Sequence, residues 1–132
     1  MNKFTKRLLA LGLALSIVVG AGGVSVFAKT GTGPAQGFLN GHRIYCFSDI
    51  GPNSARAKTT VYYNGGMTRV SSDYTYINNK TLRQTTINKQ NRGIQTTEVG
   101  VSAPGGCRSV MIRSKHTVEF DSKWTGTTYV RL

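Results

Sequence analysis

The sequence predicts an all-β fold, a small antiparallel β-sandwich of six to seven strands tied by one disulfide and preceded by an N-terminal signal helix. Three observations carry this. From Phe38 onward the recurring residues are Thr, Val, Ile, Tyr and Phe, the β-branched and aromatic set that fits a pleated surface. Clusters that tolerate turn geometry recur at short intervals, NGG at 64–66, NNK at 78–80, NRG at 91–93 and PGG at 104–106. No stretch after residue 28 holds apolar residues at helical spacing over a useful length.

The first segment is of another kind. Lys3, Lys6 and Arg7 stand without an acid before an apolar run from Leu8 through Val19, and small residues follow, which is the order of a secretory signal. Val26 and Ala28 occupy positions where signal peptidase requires small or aliphatic side chains, so cleavage is expected between Ala28 and Lys29. The competing reading, an uncleaved anchor, needs about 20 apolar residues. Gly12, Gly20, Gly22 and Gly23 thin the run, and only Lys29 follows it as a charged stop. The chain therefore divides into a signal peptide at 1–28, a flexible leader at 29–37 (KTGTGPAQG) and an all-β domain at 38–132. The expected location is outside a bacterial cell, secreted or associated with the wall.

Within the domain, strands are expected at 42–48, 55–63, 68–77, 82–88, 94–103, 109–120 and 127–132. Alternation assigns their faces. Val70, Ser72, Tyr74 and Tyr76 fall on one side, as do Val99, Val101 and Ala103, and the set Val110, Ile112, Val118 and Phe120. Together with Ile44, Cys46, Val61 and Tyr63 these form the expected core. The segment 109–120 is long for one strand, so a bend or bulge is expected near Ser114 and Lys115. Export exposes Cys46 and Cys107 to oxidising conditions, where a pair normally joins. The bridge would close a loop of about 60 residues and stabilise by about 4 kcal/mol in the chain-entropy account.

The chain carries 17 lysines and arginines against five acids, a net charge of +12. Three of the cations precede residue 28, which leaves 14 and a net charge of about +9 beyond the expected cut. Half of this charge is accounted for by a solvated surface. The one-sided excess still creates a long-range field that concentrates on polyanions, and outside a bacterium these are wall teichoic acids, anionic lipid head groups and extracellular DNA. Arg108, Arg113, Lys115, Lys123 and Trp124 are the candidate polyanion-binding set. The loop DSKWTGTTY at 121–129 places the sole tryptophan beside Lys123. It suits sugar stacking or membrane-interface contact, while the plainer role for Trp124 is to close one end of the sandwich. Tyrosines 45, 62, 63, 74, 76 and 129 are available for stacking on a ligand, although several are needed in the core.

Acid–base chemistry has few players. The histidines are His42 and His116, and the acids are Asp49, Asp73, Glu98, Glu119 and Asp121. A ribonuclease-type site would combine His116 with Glu98 or Glu119 and an arginine. Glu119 lies three residues from His116 and so on the opposite face of a strand, which leaves Glu98 on a neighbouring strand. The plainer reading makes His116 a hydrogen-bonded polar side chain within a strand and His42 a turn residue. No HExxH, CxxC, phosphate-binding glycine loop or Gly-x-Ser-x-Gly elbow is present, so no metal or cofactor is expected.

In plan, a signal segment followed by a small basic β-domain rich in Gly and Thr, the chain is similar to exported lactococcin-like bacteriocins that fold as β-sandwiches. The similarity is one of plan, carried by no motif, and it transfers no residue role. The leading expectation is a non-enzymatic exported cationic domain that binds anionic envelope or extracellular polymers, with nucleic acid as a non-specific ligand. The alternatives are a bacteriocin-like antimicrobial protein and a small ribonuclease-type hydrolase.

Overall fold

The structure, a computed structural model, describes residues 29–132. The expected signal peptide, with its helix and Ala28 of the cleavage site, lies outside the described residues. The described residues form nine strands: β1 (Thr30–Gly31), β2 (Ala35–Leu39), β3 (His42–Ile50), β4 (Ser54–Val61), β5 (Met67–Asn78), β6 (Gln84–Ile94), β7 (Thr96–Ser102), β8 (Cys107–Glu119) and β9 (Lys123–Arg131). They form a five-stranded sheet in the order β1-β9-β8-β5-β6 and a four-stranded sheet in the order β2-β3-β4-β7. Every pairing is antiparallel.

The two strands beyond the expected seven, β1 and β2, lie largely where a flexible leader is expected. Asn40 and Gly41 both take positive φ, 49° and 79°. That pair of angles is a two-residue hairpin turn of the kind Asn-Gly favours, and it brings Leu39 opposite His42. β1 adds to the far edge of the other sheet, Thr30 against Arg131.

β6 and β7 also depart from expectation. The NRG at 91–93 lies inside β6, and the chain instead changes sheet at Gln95, a non-glycine residue at φ 67°. Its N–H donates to the Gly66 carbonyl, and its own carbonyl accepts from Val61 N–H, which ties the crossing to both sheets. β6 is exposed along nearly its whole length and so shows no burial alternation. Turn-compatible residues at an edge cost little when the strand has no buried face to satisfy.

β8 runs unbroken through Ser114 and Lys115. The irregularity lies at Val110 instead, where Thr75 faces Met111 but the next residue, Tyr76, faces Ser109. The extra residue shifts the phase, so Ser109 is buried and Val110 only half-buried. Tyr74 is fully buried and its hydroxyl meets that of Ser109 at 2.7 Å.

The expected Cys46–Cys107 disulfide is absent, and both cysteines are free. Cys46 on β3 pairs with Thr59, whose hydroxyl lies 2.8 Å from His116 Nδ1. Cys107 is nine residues from His116 along β8, on the order of 30 Å of strand. A bridge requires Cα atoms within about 7 Å, so the fold keeps the thiols apart whatever the redox conditions. Burial pushes the Cys46 thiol up to about 12.

The interior has two apolar regions. One gathers Ile50, Ala57, Val70, Tyr74, Val99 and Ile112 among others, and the second gathers Leu39, Ile44, Cys46, Val61 and Val118. Between them runs a layer of hydrogen-bonded polar side chains: Ser48, Thr59, Ser72, Ser114, His116 and Thr128. Expected core residues Ile44, Val61, Val70, Ser72, Tyr74, Val99, Val101, Ile112 and Val118 are buried. Tyr63 is not: it is 40% exposed and stacks on His42 at 4.3 Å and against Phe120 at 5.0 Å.

Candidate functional site

Strand alternation turns half of each sheet's side chains outward, and pairing registers align them in rows. On the five-stranded sheet one row reads Arg92, Arg69, Thr117, Thr125 across β6, β5, β8 and β9. The next reads Gln90, Ser71, Lys115, Thr127, and the one after it Asn88, Asp73, Arg113, Tyr129. Arg131 and Lys123 continue the face at its two ends, opposite Met111 and Glu119. Six cations thus share one surface with two carboxylates, and among the described residues none of the six is ion-paired.

Two local features stand out on this face. Arg69 and Arg92 are direct cross-strand partners, a like-charged arrangement that is unfavourable without an anion nearby. They border, with Gln90 and Asn91, a shallow depression of about 390 Å³. Asp73 faces Arg113 across the ladder without forming an ion pair with it: its Oδ1 accepts from Asn88 Nδ2 at 2.8 Å, while the Arg113 guanidinium lies 5.6 Å from the Tyr129 ring centre. At the end of the sheet beside the bulge, a second depression of about 250 Å³ lies between Arg108 and Arg131 over Pro52, Ile77 and Val110.

The expected binding set is only partly brought together. Arg113 and Lys115 lie at the centre of the basic face, Lys123 at one end and Arg108 beyond the other. Trp124 is on the other side of β9: it packs on the Leu39, Ile44 and Val118 region, between Gly37 of β2 and Gly126. A methyl group at either glycine would overlap the indole, so the tryptophan closes one end of the sandwich. Arg69, Arg92 and Arg131 complete the face and are not in the expected set. Their recruitment depends on strand register, which one sequence does not display.

The outer face of the four-stranded sheet differs in kind. Phe38, Arg43 and the residue just past β4, Tyr62, form one row, with Tyr45 and Phe47 at the next outward positions of β3. Phe38 is 69% and Tyr62 59% exposed. Arg56 lies over the Phe47 ring at 5.5 Å, and Lys58 stands between Phe47 and Glu98. Asp49 is held by Lys29 at 2.8 Å, and the hydrogen bond from that ammonium lowers the carboxyl's pKa from its ordinary value.

His116 sits between the sheets with no exposed surface. Thr59 Oγ1 is 2.8 Å from its Nδ1 and Thr128 Oγ1 2.7 Å from its Nε2. Burial pulls it down to about 4, so the ring is neutral at pH 7. Glu98 and Glu119 are on outward faces of β7 and β8, so neither acid is brought to His116. Among the described residues no three His, Cys, Asp or Glu side chains gather as metal ligands, and no helix is long and apolar enough to cross a membrane. No family model, curated protein or solved structure matches the chain.

Proposed function

We propose that this chain is an exported, non-enzymatic cationic domain that binds anionic polymers or head groups at the cell envelope or around it. The observation that carries the reading is the register-aligned array of Arg69, Arg92, Arg113, Lys115, Arg131 and Lys123 on the five-stranded sheet, opposed only by Asp73 and Glu119. Such a surface attracts polyphosphate-like chains through many weak contacts rather than one tight pocket. The hydroxyls of Thr117, Thr125 and Thr127 lie among the charges and supply hydrogen bonds to the same oxygens. Export rests on the sequence of residues 1–28, and the secreted protein is expected to begin at Lys29.

Binding of the purified protein to teichoic acid and to anionic vesicles, followed against salt, is the test. Affinity is expected to fall steeply as salt rises. Replacing Arg69 and Arg92 together by Glu is expected to lower affinity by on the order of a hundredfold at low salt. Binding that ignores both salt and this double charge reversal would refute the reading.

A further inference from the structure

We propose that the outer face of the four-stranded sheet is a second and separate site, for single-stranded nucleic acid, in which bases stack on Phe38, Tyr45 and Tyr62 around Arg43. The pairing places Phe38 directly beside Arg43 on one side, and Tyr62 N–H donates to the Arg43 carbonyl on the other. Tyr45 is two residues along β3 from Arg43 and projects from the same face. A cation is thus surrounded by three outward rings. Phe38 and Tyr62 have more than half their surface in solvent, and leaving such rings uncovered in one row is a mark of contact with something else. Phe47 plays a different part, since Arg56 already occupies one side of its ring.

The chemistry of the face selects the ligand. Arg43 makes one long hydrogen bond, 3.4 Å to Gln36 Oε1, and Arg56 and Lys58 extend the positive strip along β4. With Asp49 held by Lys29, Glu98 is the remaining carboxylate of this face. The ligand therefore carries regularly spaced negative charge and flat, accessible rings. Teichoic acids and lipid head groups have the charge without aromatic rings. Duplex nucleic acid has both but hides its ring faces in the stack, whereas a single strand presents them. Sequence preference is not expected, because every base offers a ring face.

The test is fluorescence anisotropy of the purified protein with a labelled oligothymidylate, with its duplex counterpart, with polyphosphate and with a uronic-acid polysaccharide as competitors. Phe38→Ala combined with Tyr62→Ala is expected to weaken oligothymidylate binding by about tenfold or more and to leave polyphosphate binding unchanged. Phe38→Tyr combined with Tyr62→Phe keeps the rings and is expected to retain affinity, and both pairs are checked for unaltered urea unfolding. Unchanged oligothymidylate affinity in the alanine pair overturns the proposal, as does an equal loss for polyphosphate. A uronic-acid polymer that competes more strongly than the oligonucleotide, with the same dependence on the rings, also overturns it in favour of a sugar ligand. The site does not need the basic face: if Arg69→Glu with Arg92→Glu leaves polyphosphate binding intact, the function proposed above fails while the ring-dependent binding stands.

Discussion

The two outer faces are built on the same kind of scaffold and have opposite characters. The five-stranded sheet displays cations among hydroxyls and amides, with Tyr129 as its aromatic contribution. The four-stranded sheet displays Phe38, Tyr45, Phe47 and Tyr62 with cations between them. Burial does not explain the difference, because both faces are outward. Charge without rings holds any polyanion and is screened by salt, while rings beside charge select anions that carry flat groups. If both proposed sites hold, attraction falls to one sheet and selection to the other.

Because both faces rest on one interior, the largest expected effect is one that removes them together. His116→Ala leaves Thr59 and Thr128 without their partner and opens a cavity between the sheets. It is expected to destabilise by roughly 3 kcal/mol or more, read by urea unfolding, with binding on both faces falling in parallel. If one face survives unfolding of the other, the sheets are not a cooperative unit.

Acid probes the same coupling without a substitution. The folded state holds His116 neutral to about pH 4, whereas the unfolded chain takes up that proton near 6.5. The unfolded state therefore binds more protons between these values, and this contribution, full above 6.5, is lost as pH falls toward 4. The loss amounts to about 3 kcal/mol. Urea midpoints at several pH values should show the decline, and His116→Gln should flatten it. An equal slope in the variant would place the acid sensitivity elsewhere.

Gly37→Ala separates the faces. The added methyl overlaps the Trp124 indole, at an expected cost of about 1–3 kcal/mol. It displaces β2, which carries Phe38, so ring-dependent binding should weaken while salt-dependent polyanion binding remains. A shift in Trp124 fluorescence reports the displacement, and its absence would mean that β2 accommodates the methyl group. The smallest effect belongs to Lys29→Ala: both partners of its ion pair with Asp49 are about half exposed, so the stability change should stay within about 0.5 kcal/mol in chemical unfolding.

The sequence made the middle of each sheet legible and the margins much less so. Val70, Ser72 and Tyr74, or Val99 and Val101, alternate because one side of their strand is buried. β6 has no buried side and hence no alternation, so its turn-like NRG reads as a stop. β1 and β2 depend on the Asn40–Gly41 hairpin and on pairing with distant strands, and the glycine-rich composition of 29–37 conceals both. For Cys46 and Cys107 an oxidising compartment would permit a bond, but reach decides whether it forms, and the fold holds them apart. At the site, Arg113 and Lys115 could be found from charge alone. Arg69 and Arg92 could not, because their meaning comes from facing each other across a ladder. Phe38 opens the expected domain, and nothing in the sequence indicates that Arg43 and Tyr62 stand in its row.

The polar layer has a mechanical consequence. Apolar surfaces slide past one another with little preference for position, so a sandwich held by grease alone has a soft direction parallel to its sheets. Here Ser48 meets Ser114 and Thr128 across the gap, and Thr59 meets His116, so sliding the sheets by one pleat would break these contacts at once. The hydroxyls act as a detent that fixes the alignment of the sheets, and the rows of charge on one side keep a constant offset from the rows of rings on the other.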